Sequence, residues 1–497
     1  ARIVAGSQNG QLLIWDTTGS SPRHILSTQG GAIEKLVIRG NRLYSLSANG
    51  DVTIVDMQQE TIQVTIKFLE KEKEWRYAML TPSGHYRIDP DLLNDFHFVK
   101  NETVYPLSSF ELQGNRPDKV FKALGYADTA FLRTLELAWR SRIQRLGFDP
   151  DKLNNAGNRP VLKWDRDHLP LTATERILKL QLTLEDQQQA LKSLLIRVNG
   201  VPEFAATGMP VNGRVKKYAL DYPLSLNAGR NLISITGVNE AGEESLEQTY
   251  TVYYQPDKPD SARVFYIGIG VAEYADRQKN LRYAAKDVRD IAARLKQTKN
   301  ATILDTLLNE KATLAAIQQV KQKLRQTNTD DIVVISLSGH GMISRDIGFV
   351  FAPHDIDFNR PEAKGLSIRM IESLLDGIPA RKRLLLLDAC HSGEDIATHS
   401  GQLPQGVSVI KRGVIVEDTD SSASGRGRNQ QLLIQELFGD LSRGNGSFVI
   451  SAAAGNEYAY EGQSWNNGAF TYSFLQNLSW ATGAHRFDNC AQLFMTW

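Results

Sequence analysis

The chain has 497 residues, 57 basic and 56 acidic, for a formal net charge of +1, with 41% hydrophobic and 23% charged side chains. That length predicts about three or four domains rather than one core, and the balanced charge gives no electrostatic case for nucleic acid or an anionic membrane surface as partner. Two cysteines exclude a disulfide framework and point to a reducing compartment, the cytoplasm, and no apolar run approaches the roughly 20 residues of a spanning helix.

Residues 1–66 contain an internal repeat. Ser7-Gln8-Asn9-Gly10 followed by Ile14-Trp15-Asp16 returns as Ser47-Ala48-Asn49-Gly50 followed by Ile54-Val55-Asp56, an offset of 40 residues (Ser7 to Ser47) at every matched position. Asn-Gly between alternating apolar residues marks a tight hairpin, and a period near 40 with a terminal Trp-Asp is a propeller-blade pattern. The segment resembles WD40 repeats, with about one and a half blades present. Propellers close only with several blades, so further blades are expected upstream of Ala1. Residues 67–158 are read as a connecting segment with a helix over 129–147. Within it, Trp75-Arg76-Tyr77, Thr81-Pro82-Ser83-Gly84-His85-Tyr86 and Arg116-Pro117-Asp118 resemble the segment that follows the propeller in bacterial WD40 proteins with caspase-like domains.

From 159 to 256 the pattern turns to strands. Leu178, Leu180, Leu182 and Leu184 alternate with Lys179, Gln181 and Thr183, the period of a half-buried strand. Asn199-Gly200 and Asn239 through Gly242 supply turns. An immunoglobulin-like β-sandwich is predicted, and with no cluster of titratable residues its expected role is spacer or recognition module.

Residues 262–497 alternate strands and helices, which predicts a mostly parallel sheet covered on both faces. Val264 to Gly270 and Ile303 to Leu308 read as strands. Ala284 to Gln297 reads as an amphipathic helix with Val288, Ile291 and Leu295 on one face, and Thr313 caps a helix running toward Arg325. Ile332 to Leu337 and Leu384 to Leu387 are apolar runs with the length of buried parallel strands. Ser447 to Ser451 is a further strand. Gly268-Ile269-Gly270 lacks the third glycine of a dinucleotide fingerprint, and no phosphate-binding loop is present.

Chemistry is expected at the carboxyl ends of two of these strands. Ser338-Gly339-His340-Gly341 leaves one, and Asp388-Ala389-Cys390-His391-Ser392-Gly393 leaves the other. A cysteine and a histidine at adjacent strand ends are what a thiolate nucleophile with an imidazole partner requires. A thiolate attacks a peptide carbonyl at neutral pH far better than a hydroxyl does. The glycines at 339, 341 and 393 allow close approach of a substrate backbone. Cys490, with no partner motif, is read as structural, and His391 as structural or rim.

These two motifs resemble the caspase-like clan, most closely its metacaspase and bacterial metacaspase-like members, over roughly residues 262–497. The resemblance implies a cysteine endopeptidase in which Cys390 is the nucleophile and His340 transfers protons. It implies the backbone N–H groups of Gly341 and Cys390 as oxyanion donors. It also implies that Asp388, together with Asp287 on the helix after the first strand, binds the P1 side chain. Two carboxylates favour Arg or Lys there and repel Asp. An Asp-specific peptidase and a catalytically retired binding scaffold are the alternatives. Ser451-Ala452-Ala453-Ala454-Gly455-Asn456-Glu457 resembles the edge that pairs with substrate backbone, and Gly468-Ala469-Phe470-Thr471, opening the last helix, is read as packing.

The Gly-, Ser- and charge-rich stretch between Gly393 and Gln430 is expected to be an exposed loop, with Lys411, Arg412, Arg426 and Arg428 as candidate self-cleavage sites. Asp346, Asp355 and Asp357 do not match an oxygen-ligand loop. No metal or other cofactor is therefore expected, calcium activation remaining an option that the resemblance carries. The expected partners are a protein or peptide substrate and a protein bound through the propeller or immunoglobulin-like module.

Overall fold

The computed structural model describes residues 2–28, 30–71, 73–89, 92–93, 95–100, 103–125, 129–151, 153, 159–258, 262–298, 300–344, 347–389, 446–452, 461–462 and 466–481. Cys390, His391, Cys490, Asp346, the Ala453–Glu457 stretch and all four candidate self-cleavage sites lie outside the described residues. The chain divides into two compact units, residues 1–143 with 150–154, and 144–149 with 155–497.

The first unit is β-rich. Strands Arg2–Gly6, Gln11–Asp16 and His24–Ser27 form one antiparallel sheet, and Ile33–Arg39, Arg42–Ser47, Val52–Asp56, Thr61–Lys71, Glu74–Leu80 and Tyr86–Ile88 follow in chain order in a second. The two repeat copies make the same turn. Gly10 donates to Ser7 O and Gly50 to Ser47 O, with the serine N–H groups donating to Gln11 O and Asp51 O. The turn spans four residues between the strands, not the two of the tightest hairpins. The serine hydroxyl donates to the same carbonyl of Gln11 or Asp51 as its own N–H. Gly10 (φ 79°) and Gly50 (φ 83°) take the left-handed conformation the turn needs. Helices Pro117–Leu124 and Thr129–Arg145 follow.

The second unit begins with two packed sheets. Val161–Asp165, Ile177–Glu185 and Lys217–Ser225 form one; Gln248–Tyr254, Gly229–Asn239 and Leu191–Val198 are the longest strands of the other. The leucines at 178, 180, 182 and 184 all point into the shared core, where they meet Leu194, Ile196, Ile233 and Val252. Gly237 is required there, since a Cβ would lie 2.1 Å from Leu184 Cδ1.

The remainder is an α/β layer structure. Its five-stranded parallel sheet has the order Ala301–Leu308, Val264–Gly270, Ile332–Ser338, Lys382–Asp388, Phe448–Ser451. On one face Tyr266, Val334 and Leu386 pack against Ile291 and Leu295 of helix Ala284–Lys296 and Phe474 of helix Ala469–Ala481. Alternation sends Ile267, Ile335 and Leu385 to the other face, equally buried, on the side of helices Leu314–Leu324 and Ile368–Leu375. Thr313 caps the former through Ala316 N–H. Gly268 and Gly270 are explained by packing. A Cβ at 268 would lie 2.3 Å from Val288 Cγ1, and one at 270 would lie 2.9 Å from Ala284 O. They let the helix that carries Asp287 lie directly on the strand ends.

The β-sandwich is joined to this layer by buried polar groups, which makes it more than a tethered spacer. Arg381, immediately before strand Lys382–Asp388, donates to Ser225 O at 2.7 Å, to Asn227 Oδ1 at 2.8 Å and to Glu203. Asp330, just before Ile332–Ser338, accepts from Arg176, Asn227 and Ala228. Its neighbour Asp331 accepts from Arg263 Nη2 at 2.6 Å and from Asn328 N–H at 2.6 Å, tying the starts of two central strands together. Burial pushes the Asp331 carboxyl up, but the Arg263 and backbone hydrogen bonds outweigh it and leave the pKa below the usual Asp value. Arg383, packed beneath on the carbonyls of Ala380 and Ile378, is pulled down to about 10 by burial.

Two stability outcomes follow. Arg381→Ala leaves Glu203 partly buried without its cation and should cost about 3 kcal/mol in urea unfolding, the low end for a broken buried pair, because Glu203 keeps 16% exposure; a loss under about 0.5 kcal/mol would count the interface as surface. Because the folded pKa of Asp331 is depressed, its contribution is present above the usual Asp range and is lost as pH falls through the folded value. Asp331→Asn should therefore be about 1–3 kcal/mol less stable at pH 7 and converge with the parent in acid; a pH-independent gap would contradict the assignment.

Candidate active site

The central strands run in register, so Gly270, Ser338 and Asp388 stand side by side at one end of the sheet. Gly339 N–H donates to Asp388 O at 3.2 Å and locks the two exits together. His340 is therefore the second residue beyond its strand and Ala389 the first beyond its own. Cys390 follows Ala389 in the chain and is outside the described residues.

His340 is 4% exposed. Its Nε2 lies 2.7 Å from Lys279 O. A carbonyl only accepts, so the neutral ring carries its proton on Nε2 and its Nδ1 is the unprotonated nitrogen. The ring lies 5.1 Å from that of Tyr274 and edge-on to Phe358 at 6.1 Å. Gly341 is buried and opens the strand Gly341–Ser344, paired with Gly348–Phe351.

Asp287 sits in the first turn of helix Ala284–Lys296, where the helix dipole favours a carboxylate. Its Oδ1 accepts from Gly468 N–H at 2.9 Å and Asn467 Nδ2 at 3.1 Å, and its Oδ2 from Ser338 Oγ at 3.4 Å. Asn467 also donates to Asp290 at 2.7 Å. Asp388 Oδ2 accepts from Thr471 Oγ1 at 3.4 Å. The structure thus brings Asp287, Asp388 and His340 to one sheet end around Ser338. The segment Gly468–Thr471, expected only to pack, supplies a donor to each of the two carboxylates. Its role was hidden because a backbone N–H and a threonine hydroxyl have no motif. Both Asp287 and Asp388 are almost wholly buried, at 0% and 2% exposure.

Asp355 and Asp357 are engaged otherwise. Asp355 accepts from Leu314 N–H and pairs with Lys364, while Asp357 accepts from Asn359 N–H and Arg360. Among the described residues no group of three His, Cys, Asp or Glu side chains is arranged to hold a metal ion, and no helix is long and apolar enough to cross a membrane.

Residues 267–493 match the family model of the caspase domain (peptidase C14). The chain carries a C-terminal caspase domain. Upstream of it lies the β-rich region, and the parallel sheet belongs to the caspase part. No curated protein matches the chain. Among solved structures it is similar to fibronectin(III)-like modules of Clostridium thermocellum CbhA, at 15% identity and a TM-score of 0.16, covering 21% of this chain and 52% of that one. It is also similar to the β-propeller domain of Myceliophteria thermophila Cps50 (Swd1), at 11% identity and a TM-score of 0.13, covering 50% of this chain and 82% of that one. Likeness at these TM-scores carries no argument about fold or activity. The caspase domain supports a cysteine-peptidase type of function.

The packing at Gly270 yields a direct check on what places Asp287 in the caspase domain. Gly270→Ala would press a Cβ against helix backbone at 2.9–3.0 Å, shift the helix, and cost about 1–3 kcal/mol. Thermal unfolding with and without the substitution measures it; an unchanged midpoint would mean that the helix is not held by this contact.

Proposed function

We propose that the protein is a cysteine endopeptidase cutting after Arg or Lys, with Cys390 as nucleophile and His340 as its proton-transfer partner. The observation that carries this is the in-register exit of the two motif strands, Ser338 opposite Asp388, beside an imidazole whose Nε2 is committed to Lys279 O. His340 Nδ1 takes the proton of the Cys390 thiol, and the thiolate so formed attacks the scissile carbonyl. The N–H groups of Gly341 and Cys390 receive the oxyanion, where losing one donor typically costs about 2.7–4 kcal/mol in the barrier. His340 Nδ1 protonates the leaving amine and then takes a proton from the water that hydrolyses the thioester.

Asp388 and Asp287 form the P1 site. A guanidinium or ammonium entering there neutralises two carboxylates held in a water-poor pocket, while an Asp side chain adds a third negative charge. For Asp287 the substrate cation takes over acceptor sites that Gly468 N–H and Asn467 occupy, so cation binding and movement of that short strand are linked. The repeat segment is read as part of a WD40 propeller and the sandwich as immunoglobulin-like, together a cytoplasmic sensor or docking region for a protein partner. Lys411, Arg412, Arg426 and Arg428 are candidate self-cleavage sites matching the same P1 preference. Calcium enters only as a condition to vary, since Asp355 and Asp357 are already engaged locally.

Otherwise matched Arg-, Lys- and Asp-P1 peptide reporters test the reading, with and without calcium. Cleavage after Arg and Lys is expected, abolished in Cys390→Ala and reduced by about 2–5 kcal/mol of transition-state binding in Asp388→Asn. Preference for Asp would overturn the pocket, cleavage persisting in Cys390→Ala would overturn the mechanism, and silence toward every reporter would favour a binding scaffold.

A further inference from the structure

The segment between Val271 and Tyr283 carries no recognised motif, yet it supplies the carbonyl on which the His340 ring is hydrogen-bonded. Lys279 O takes the Nε2 proton. That carbonyl is itself held in a short turn: Asp276 accepts from Gln278 N–H, and Lys279 N–H donates to Asp276 O. Asn280 Oδ1 accepts from Tyr274 N–H at 2.8 Å, which ties the turn to Tyr274. Asn309 Oδ1 accepts from Ala272 and Glu273 N–H and anchors the segment below.

Tyr274 is the centre of this arrangement. Its Oη accepts from His340 N–H at 2.9 Å and donates to Ala352 O at 3.4 Å. Ala352 N–H donates in turn to His340 O at 2.9 Å, closing a ring of bonds around the His340 backbone. The phenol ring also faces the imidazole, 5.1 Å between centroids and 37° between planes, and meets Phe358 edge-on at 5.4 Å. Gly339 leaves the space for it, since a Cβ there would lie 3.0 Å from Tyr274 Oη. The Tyr274 side chain thus grips His340 by backbone and by ring, while the Tyr274 N–H is bonded to the turn that presents Lys279 O. Rotation of the imidazole about its χ angles is opposed on its flat face by a ring and at Nε2 by a carbonyl.

We infer that Tyr274 is a positioning residue for His340, holding the imidazole in the Nε2–H tautomer with Nδ1 directed to the reacting centre. This rests on the reading of His340 as the proton-transfer group, and tautomer control of this kind works through the partner of the second nitrogen. Among the described residues Tyr274 holds His340 by its backbone N–H and by its ring face, so its removal acts first on the orientation of the imidazole.

The experiment uses the full chain with Cys390→Ala, 15N-labelled in histidine, with the His340 signals assigned by their loss in His340→Gln. In the Tyr274 form one tautomer, protonated at Nε2, is expected. In Tyr274→Phe, which keeps the ring stack and loses the hydroxyl, the two nitrogens should shift toward each other as the tautomers mix. In the Cys390 form the same substitution should lower kcat about tenfold with KM within about twofold, as expected for one lost hydrogen bond expressed in the barrier. Asn280→Ala, which frees the turn without touching the phenol, should move the same nitrogen signals in the same direction. Unchanged imidazole signals in both variants would overturn the inference whatever the activity. A wild-type chain that cuts no reporter would overturn the peptidase reading alone, because the nitrogen signals decide the role of Tyr274 independently.

Discussion

Parallel pairing between strands Ile332–Ser338 and Lys382–Asp388 is the constraint on which the site depends. A one-residue slip would turn every side chain to the opposite face and separate the two motifs by about 3.3 Å along the sheet. The register is held along seven consecutive partners, from Ile332 opposite Lys382 to Ser338 opposite Asp388. At the far end Gly339 N–H on Asp388 O adds one more bond beyond the ladder. With both faces buried, the register rests on this ladder, on the shapes of the packed side chains and on the bond beyond it. The strands need no alternating polarity to hold it.

The opposite end of the same strands is fixed by charge. Asp331 joins the starts of Val264–Gly270 and Ile332–Ser338 through Arg263, while Arg381 and Asp330 join the starts of both motif strands to the β-sandwich. Buried ion pairs add little net stability on average but are costly to break singly, so they act as alignment features. The sandwich therefore grips the two strands whose other ends lead into His340 and Cys390. Anything that displaced it would be felt first at the strand starts, seven residues from the site.

Much of the fold was legible in the sequence, because local burial writes itself as periodicity. The leucines at 178, 180, 182 and 184 predicted a strand with one buried face and occupy one. Thr313 predicted a helix start and caps it. The Asn-Gly turns were legible as turns, but the serine hydroxyls that brace them were not. Gly268 and Gly270 were set aside for failing a nucleotide pattern, when their reason is the close approach of a helix. What stayed hidden has a common physical form. Tyr274, Lys279 O, Asn467 and Gly468 N–H act across long sequence separations, through backbone atoms or neutral side chains that no spacing rule marks. His340 and Asp388 stood out because their chemistry is rare; the groups that hold them are ordinary and distant.

The central claim is that a thiol at Cys390 and the imidazole of His340 form one reactive unit. It is tested most directly by covalent labelling with an Arg-P1 peptide ketone that alkylates an activated thiolate, followed by peptide mapping of the intact chain. The account predicts a single adduct on Cys390, with Cys490 unmodified, and labelling slowed by orders of magnitude in His340→Ala. Equal modification of the two cysteines, or an unchanged rate without the imidazole, would contradict it.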